Sequence, residues 1–460
     1  MAAVDPGSVA RNGSRGETEH SAMTTNSLAP EGFFRHVVVL MSWTVVAQFV
    51  SVTSMLILPR FFLPQQFGVF AVFSGVVVML GIVAAARYEF AIGLPQDDRD
   101  GAALFTLCML LACATSLVCV LVFAAVPEDN WLFARFPELR PWWYWIALGM
   151  ACVCWYNAAS YLALRAGRFG VVGKSKAVIA TATAAGQILA GLSLGSRDGA
   201  LIVPFLAGQL CGVALIVVAL PGGSMWRPGL GPLASVAARY SRFPRFVAAG
   251  SLLDGIAVLL PVAVIASVFS PAEAGIYALA DRTLKVPVTL VGSSVLQVFY
   301  KRVADLRGDS HRTRRLLLQT WRNLALLAIL PCAAVAIFGE SVFTMIFGET
   351  WRASGRVAEL LVISVFVFFI SYPTSNILVV TERVRSFLVW QVAQVLFVVT
   401  ALLVALQRPD HRSLEWTVTL LVGAQLCVYV LSMVLQWQAV SVSPARDDEA
   451  GILGGADGHR

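Results

Sequence analysis

Long apolar runs separated by short polar turns dominate this chain of 460 residues. A helix that crosses a bilayer needs about 20 predominantly apolar residues, and about twelve runs meet that requirement. The pattern therefore predicts an all-α polytopic membrane protein. The approximate limits of the predicted spans are residues 36–58, 68–87, 102–126, 142–164, 177–194, 200–220, 246–269, 275–300, 323–347, 357–380, 386–406 and 416–440.

One short motif occurs twice, each time in a turn between apolar runs. Residues 62–71 and 269–278 share the pattern Phe-x-Pro-x-x-x-Gly-aliphatic-aromatic-Ala. Their offset is roughly half of the apolar chain, which indicates a duplicated unit. Because an offset of six spans preserves direction across the membrane, we expect two six-helix lobes related by a parallel repeat.

The repeat and the polar segments suggest a division of the chain into five parts. The connection between the lobes is rich in Gly and Pro, as expected of a linker. The predicted parts are a disordered cytoplasmic tail (1–35), an N-lobe (36–220), a cytoplasmic interlobe linker (221–245), a C-lobe (246–440) and a second cytoplasmic tail (441–460).

Composition and charge agree with a membrane protein. The mean hydropathy of +0.76 is far too high for a soluble protein of this size. Residues 1–30 are polar and lack the apolar core of a signal peptide. Most Lys and Arg fall on one side if the amino terminus is cytoplasmic, which places both termini inside. The net charge of +7 then reflects topology and contact with anionic lipid rather than nucleic acid.

Metal, nucleotide and catalytic sites are not indicated. The eight cysteines lie in apolar runs without Cys-x-x-Cys spacing, which favours buried packing, and the five histidines lack paired ligand spacing. Residues 167–175 suggest a nucleotide-binding loop, but Gly-x-x-x-x-Gly-Lys-Ser requires glycine where Arg168 stands. An apolar span rather than a strand also precedes this loop. We therefore expect no cofactor and no catalytic residue.

Three ionisable side chains, Asp281, Arg282 and Lys285, lie within the predicted span 275–300. Charge inside a membrane span is a functional-site hypothesis, because lipid cannot solvate it. Arg282 and Lys285 are three residues apart and hence neighbours on one helix face. We interpret them as an anion site in which Asp281 offsets one charge. The alternative is a structural Asp281–Lys285 pair that fixes the orientation of the helix.

Four further residues are candidates. Arg87 and Glu89 lie near the cytoplasmic end of the second span, where Arg87 can snorkel to headgroups and Glu89 either pairs with it or faces a cavity. Asn157, central in the fourth span, belongs to a polar and aromatic face that either binds sugar or forms an interfacial belt. Asp254 lies near the midplane of the seventh span. It is either an ion-coupling carboxylate or a static partner of Lys285.

Four stretches together resemble a known family. They are residues 67–70 with 87–95, residues 165–176, motifs within 243–299 that include Gln297, and residues 346–352. This pattern resembles the Wzx-like polysaccharide, or lipid-linked oligosaccharide, flippases of the multidrug/oligosaccharidyl-lipid/polysaccharide exporter superfamily.

The resemblance implies a MATE-like fold with a central cavity that opens alternately to either side. It also implies a cationic interior that receives the pyrophosphate of a polyprenyl-linked glycan. The intramembrane charges are concentrated in the second half, so the part played by the first lobe is left open. The predicted substrate-binding residues are Arg282, Lys285, Asp281, Gln297, Asn157 and Arg87, and the predicted coupling residues are Asp254 and Glu89.

The sequence thus predicts a non-enzymatic flippase of the bacterial inner membrane that is coupled to an ion gradient. It would act on an undecaprenyl-pyrophosphate-linked oligosaccharide by alternating access. The oligosaccharide would be a repeat unit of O-antigen, capsule or exopolysaccharide, and the expected partners are a polysaccharide polymerase and export machinery. One alternative is a cation-coupled antiporter for amphiphilic drugs, which would need cavity carboxylates to outnumber basic groups. A second alternative, a glycan polymerase or ligase, would need catalytic residues in a large periplasmic loop. A third, a scaffold in a glycan assembly complex, would keep its function when the midplane charges are neutralised.

Overall fold

The structure, a computed structural model, describes residues 30–127, 130, 135–195, 199–220, 233–306, 309–375, 377, 384–407 and 413–441. Twelve helices in these ranges have 18 residues or more. They are α1 (Pro30–Ile57), α2 (Pro64–Val83), α3 (Asp98–Ala125), α4 (Trp143–Arg165), α5 (Phe169–Leu194), α6 (Ile202–Ala219), α7 (Ala249–Val268), α8 (Pro271–Asp305), α9 (Ser310–Phe347), α10 (Arg352–Ser371), α11 (Val384–Gln407) and α12 (Leu414–Ser441).

Each predicted span overlaps one of these long helices, which confirms the all-α class. Ten helices in the described part of the chain are long and apolar enough to cross a membrane. Helix α1 begins at Pro30, inside the predicted tail 1–35, because proline is well suited to the first position of a helix. Helix α9 begins at Ser310, well before the predicted start at 323, because hydropathy marks only the part of a helix that lies in hydrocarbon.

The described part of the predicted linker 221–245 is partly helical. Its described part contains a short helix, Leu233–Arg239, that packs on α3 and buries Val236. A π-helical turn, Phe243–Ala248, then leads into α7. The tails at 1–29 and 442–460 and the linker residues 221–232 lie outside the described residues.

The long helices pack in two groups that agree with the predicted lobes. Within the first six helices, α1 packs on α5, α5 on α6, and α3 on α4. Within the last six, α9 packs on α10, α11 on α12, and α8 on α10. The two lobes meet mainly through α2, which packs on both α7 and α8.

The two copies of the repeated motif contact each other where α2 crosses α8. A Cβ atom on Gly68 would overlap the carbonyl oxygen of Pro271, and one on Gly275 would overlap the carbonyl oxygen of Pro64. Only glycine allows two backbones to approach this closely. The sequence repeat therefore corresponds to a reciprocal helix contact between the lobes.

The two ends of the molecule differ in character. We call the end that contains turns 58–63 and 269–270 the proline-turn end. The opposite end carries the loops with the densest positive charge, and we call it the basic end. This end includes residues 165–168 and 242–245 and the last turn of α8, residues 301–305.

Side-chain contacts also join the lobes at the proline-turn end. The indole Nε1 of Trp351 donates a hydrogen bond to the carbonyl of Pro59 at 2.8 Å, and its ring meets Phe67 edge to face at 5.0 Å. Arg60 donates to the carbonyl of Ile346 at 2.7 Å. Trp351 is fully buried. Together with the α2–α8 crossing, these contacts hold the lobes together at this end.

Candidate functional site

A cavity of about 1360 Å³ lies between the two lobes. It is lined by α1, α2, α4, α5 and α6 of the first lobe and by α7, α8 and α11 of the second. Its charged lining residues are Arg87, Lys176, Asp254, Asp281 and Arg282. Its uncharged polar lining residues are Thr44, Gln48, Ser51, Ser54, Ser74, Tyr156, Asn157, Thr183, Gln187, Gln209, Ser251 and Gln391.

Arg87 reaches the cavity from a sharp turn after α2. Ala86 and Arg87 have φ values of 49° and 63°, a left-handed conformation that residues other than glycine rarely adopt. The Arg87 guanidinium hydrogen-bonds to Ser251 of α7 at 2.9 Å and to Glu89 at 3.3 Å, and it lies 4.9 Å from the centre of the Phe90 ring. The contact with Ser251 makes Arg87 a bridge between the lobes.

Arg165, the last residue of α4, stabilises the segment that follows Arg87. The Arg165 guanidinium donates to the carbonyls of Ile92 at 3.0 Å and Pro95 at 2.7 Å, and pairs with Asp98 at 3.0 Å. The loop that begins at Arg165 lacks the glycine spacing of a nucleotide-binding loop. These contacts give its first arginine a structural role.

Glu89 pairs with Arg87 but does not line the cavity. It is 2% exposed, and its Oε2 atom has no hydrogen-bond partner in the described ranges. Burial raises the pKa of the Glu89 carboxyl above its ordinary value, and Arg87 opposes that shift. Of the two sequence interpretations, the pairing with Arg87 is the one present in the structure.

Arg282 and Lys285 do not face the cavity together. Arg282 lines it and has no carboxylate within ion-pair distance among the described residues, whereas Lys285 is absent from the lining and lies 2.6 Å from Asp281. The two cations are neighbours on one helix face, but the ammonium of Lys285 is held by the carboxylate of Asp281 within the same helix. Lys285 is instead an electrostatic neighbour of the buried Tyr277 and of Tyr429 in α12. The Asp281–Lys285 ion pair is the alternative arrangement that the sequence left open.

Asp254 and Asn157 line the cavity from α7 and α4, as the sequence suggested. Asp254 has Arg87 as its charged neighbour and Gln394 as a polar neighbour. The alternative pair of Asp254 with Lys285 is not formed, because Lys285 is already paired within its own helix. Gln297 is exposed and is not part of the lining. It lies about 22 Å further along α8 than Arg282, toward the basic end.

Lys176 is a cavity residue that the sequence did not reveal. Hydropathy placed it in a loop, but α5 begins at Phe169, so Lys176 lies two turns inside the helix. The spacing of Lys176, Thr183 and Gln187 matches the 3.6-residue period of a helix, so these three residues share the face that lines the cavity. This polar periodicity is the signal by which the sequence could have identified Lys176. The glutamines of α1, α6 and α11 were also missed as lining residues. The first lobe thus supplies two of the three cations that line the cavity.

The cavity therefore carries more positive than negative charge. Arg87, Lys176 and Arg282 face two carboxylates, Asp254 and Asp281, and Asp281 already has Lys285 as a partner. Positive groups with incomplete partners are suited to a multiply charged anion such as a phosphate. Among the described residues, no group of three or more metal-ligating side chains occurs.

A family described as "Polysaccharide biosynthesis protein" matches residues 57–356. One curated relative is the teichuronic acid biosynthesis protein TuaB of Bacillus subtilis, 24% identical over 172 residues, which cover 36% of each chain. Another is the lipopolysaccharide biosynthesis protein WzxC of Escherichia coli, 25% identical over 167 residues, which cover 35% of this chain and 33% of WzxC. The matched segments thus span about a third of these relatives.

Two solved structures share the fold over most of the chain. The inward closed conformation of the lipid II flippase MurJ has a TM-score of 0.63 at 8% identity and covers 88% of this chain and 90% of MurJ. An inward-facing MATE family multidrug transporter of the MOP superfamily has a TM-score of 0.55 at 13% identity, with 88% and 98% covered. At these identities the likeness establishes a MATE-like and MurJ-like fold.

Proposed function

Because the chain belongs to the polysaccharide biosynthesis protein family, we propose that it is a flippase for a lipid-linked oligosaccharide. The substrate would be a polyprenyl-pyrophosphate-linked glycan, carried from the cytoplasmic to the periplasmic leaflet of the bacterial inner membrane. The names of TuaB and WzxC connect those relatives with polysaccharide assembly. The protein would move its substrate without making or breaking a covalent bond.

The observation that carries this proposal is the net positive cavity between the lobes. Its volume of about 1360 Å³ exceeds the roughly 300–1000 Å³ of ordinary small-molecule pockets. Arg282 has no acidic partner among the residues that the structure describes, so its planar guanidinium can bind a phosphate through two parallel hydrogen bonds. Arg87 and Lys176 lie in the same lining, and each can contribute charge to the second phosphate.

The uncharged polar lining supports the glycan part of the substrate. Gln48, Gln209 and Gln391 each offer both a donor and an acceptor, as sugar hydroxyls require. Asn157 and Tyr156 extend this surface on α4. Because these groups can bind the hydroxyls of many sugars, the lining supports glycans as the substrate class and does not identify one sugar.

Release to the opposite leaflet requires the proline-turn end to open. In our proposal this end is periplasmic and both termini are cytoplasmic, as the basic loops suggest. Opening would separate Gly68 from Gly275 and break the Trp351–Pro59 hydrogen bond. The state described by the structure is then the one closed toward the periplasm.

Coupling to an ion gradient is assigned to Asp254 in this proposal. The carboxylate lies beside Arg87, and Arg87 in turn contacts Ser251 of the other lobe. Protonation or cation binding at Asp254 would weaken its attraction for Arg87 and change the contact between the lobes. Glu89, the second predicted coupling residue, is placed to support Arg87 rather than to meet an ion in the cavity.

The test is the replacement of Arg282 by alanine. Loss of a charge-assisted hydrogen bond costs about 1.5–3 kcal/mol, so we expect a roughly ten- to hundredfold drop in export, with normal protein abundance. The lipid-linked glycan should accumulate in the cytoplasmic leaflet, measured by its accessibility to an impermeant glycan-modifying enzyme. Arg99→Ala, exposed and outside the cavity, is the matched control.

Lys285 gives a useful contrast in the same assay. Lys285→Met should lower abundance, because it leaves Asp281 without its ion-pair partner, and Asp281→Asn combined with Lys285→Met should restore abundance. Normal export by a variant lacking Arg87, Lys176 and Arg282 together would refute the anion site. Export of an amphipathic cation that depends on Asp254 and Asp281 would instead favour the antiporter.

A further inference from the structure

Helix α9 is too long for the bilayer it enters. Its 38 residues extend about 57 Å, whereas the hydrocarbon core is about 30 Å thick. The apolar part of α9 starts after Arg322 and runs to Phe347. The first part, Ser310–Arg322, therefore lies at the headgroup level or beyond it, at the basic end of the molecule.

Packing fixes which face of this segment is exposed. Thr313 and Leu317 are buried against the C-lobe. The indole of Trp321 donates a hydrogen bond to Thr374 at 3.0 Å, and Thr374 donates to Gln436 of α12 at 2.6 Å. The opposite face of α9 is therefore held outward in one orientation.

That outward face forms a basic groove of about 620 Å³ with the end of α12. We call it the α9–α12 groove. The guanidinium of Arg314 lies 4.1 Å from the ring centre of Trp437, a cation–π contact that orients it. The polar and aromatic lining residues are His311, Arg314, Arg315, Gln319, Arg322 and Trp437.

Within the part of the chain that the structure describes, the arginines of this groove lack acidic partners. No carboxylate lies within ion-pair distance of Arg314, Arg315 or Arg322 in the described ranges of the chain, whereas the adjacent Arg312 is outside the groove and pairs with Asp309 at 2.9 Å. Three like charges held in one groove repel one another unless an anion lies between them. The planar guanidinium of arginine can donate two parallel hydrogen bonds to the oxygens of one phosphate group, so a phosphate suits this groove.

We propose that the α9–α12 groove binds the headgroup phosphates of an anionic membrane lipid. Its depth matches the headgroup layer, and basic pockets between membrane helices on the cytoplasmic side suit such lipids. Trp437 provides an indole of the kind enriched at this interface, and the exposed Leu318 lines the groove beside the arginines, where it can meet an acyl chain. This inference does not depend on the proposed transport function.

The experiment compares two charge-matched triple variants of the full chain. Arg314→Gln with Arg315→Gln and Arg322→Gln removes the groove charges. Arg99→Gln with Arg168→Gln and Arg242→Gln removes three exposed charges elsewhere at the basic end. Lipid binding is measured by native mass spectrometry after titration with diphosphatidylglycerol, with phosphatidylcholine as the neutral probe.

Each arginine near an anionic surface contributes about fivefold to affinity, so the groove triple should bind diphosphatidylglycerol roughly a hundredfold more weakly than wild type. The control triple should bind like wild type, and phosphatidylcholine should not distinguish the three proteins. Should the groove triple fail to fold, Arg315→Gln alone should still weaken binding about fivefold.

Equal lipid binding by wild type and the groove triple would overturn the proposal. Equal losses in both triples would also overturn it, because they would indicate general surface charge. Inorganic pyrophosphate, added as a soluble competitor, distinguishes the sources of phosphate. If it displaces the lipid at equal concentration, the groove is a site for soluble phosphate and the lipid assignment is wrong.

Discussion

Arg87 and the residue before it concentrate backbone strain at the edge of the cavity. Both adopt left-handed φ values, and the conformation turns the Arg87 side chain toward Ser251 in the other lobe. Strain of this kind persists only where the surroundings enforce it, and it is common at functional sites. Here the enforcing groups are the hydrogen bonds of Arg165 to the carbonyls of Ile92 and Pro95.

Ala86→Gly tests this strain. A left-handed residue other than glycine costs roughly 1–2 kcal/mol, and the entropy cost of glycine offsets part of the gain. We therefore expect the free energy of unfolding of the variant to exceed that of wild type by about 1 kcal/mol. The measurement is denaturant unfolding in detergent. Ala84→Gly is the matched control, because Ala84 has a φ of −56° and glycine there should destabilise. A loss of stability in both variants would contradict the strain.

The buried Glu89 should make stability depend on pH. Burial raises its pKa above the ordinary 4.5, so the folded state binds the proton more tightly than the unfolded state. The contribution of this group is most favourable at acid pH and declines as pH rises through the unfolded and then the folded pKa. Glu89→Gln removes that decline.

We therefore expect the melting temperature of Glu89→Gln, relative to wild type, to increase as pH rises above 4.5. Thermal unfolding in detergent across a pH series measures it. Glu349→Gln, at a carboxylate whose side chain is 70% exposed, should show no such trend. A relative melting temperature that falls with rising pH would refute the assignment.

At the scale of elements, the crossing of α2 and α8 is the main contact between the lobes at the proline-turn end. The crossing is reciprocal, because each glycine of the repeated motif faces the carbonyl of the proline that begins the other helix. It is also near one end of the cavity, where Phe67 and Phe70 line the wall. In the proposed function, the spacing of these two helices controls closure at that end.

Gly68→Ala and Gly275→Ala should each destabilise the closed state. The added methyl group meets backbone atoms that cannot rotate away, so the cost should be near the upper part of the usual overpacking range, about 3 kcal/mol. Because the two glycines share one contact, the double variant should cost less than the sum. Unfolding in detergent measures the stability, and accessibility of a Cys at Phe70 measures opening.

Gly423→Ala is the control for this series. Gly423 lies inside α12, and a Cβ there would meet nothing within 4 Å. Alanine at such a position should stabilise the helix by up to about 1 kcal/mol. If Gly68→Ala behaved like Gly423→Ala, the two helices would not be in the close contact described.

At the scale of the whole molecule, twelve long helices in the described part of the chain form two packed groups with a cavity between them. The apolar cores support this arrangement, since the largest cluster of buried residues includes Phe73 from the first lobe and Leu279 from the second. The cavity interrupts that core, and its polar lining comes from both lobes. In the proposed function, the path between the leaflets follows the interface of the lobes.

Topology is testable with single cysteines in a background that lacks the eight native ones. Thr350 and Arg168 are both exposed and lie at opposite ends. With both termini cytoplasmic, a cysteine at Thr350 should react with an impermeant thiol reagent in intact cells, and one at Arg168 should react only after lysis. The reverse pattern would invert the proposed orientation and, with it, the direction of transport.

The sequence by itself determined the elements and the fold class. Hydropathy is a local property, so twenty-residue apolar runs located all twelve long helices. The repeated motif also identified a pair of segments that meet in the fold, because Gly68 and Gly275 are required by the same close contact. Hydropathy could not give the start of α9 at Ser310 or of α5 at Phe169, because both helices extend beyond the apolar part.

Only the tertiary structure decided which side chains face the cavity. A helix presents several faces, and the one that meets the other lobe depends on contacts between residues far apart in the chain. Arg282 lines the cavity while Lys285 pairs with Asp281, although both charges look equivalent in sequence. Lys176 enters the lining and Gln297 does not for the same reason, since helix packing, rather than local composition, sets the exposure of each face.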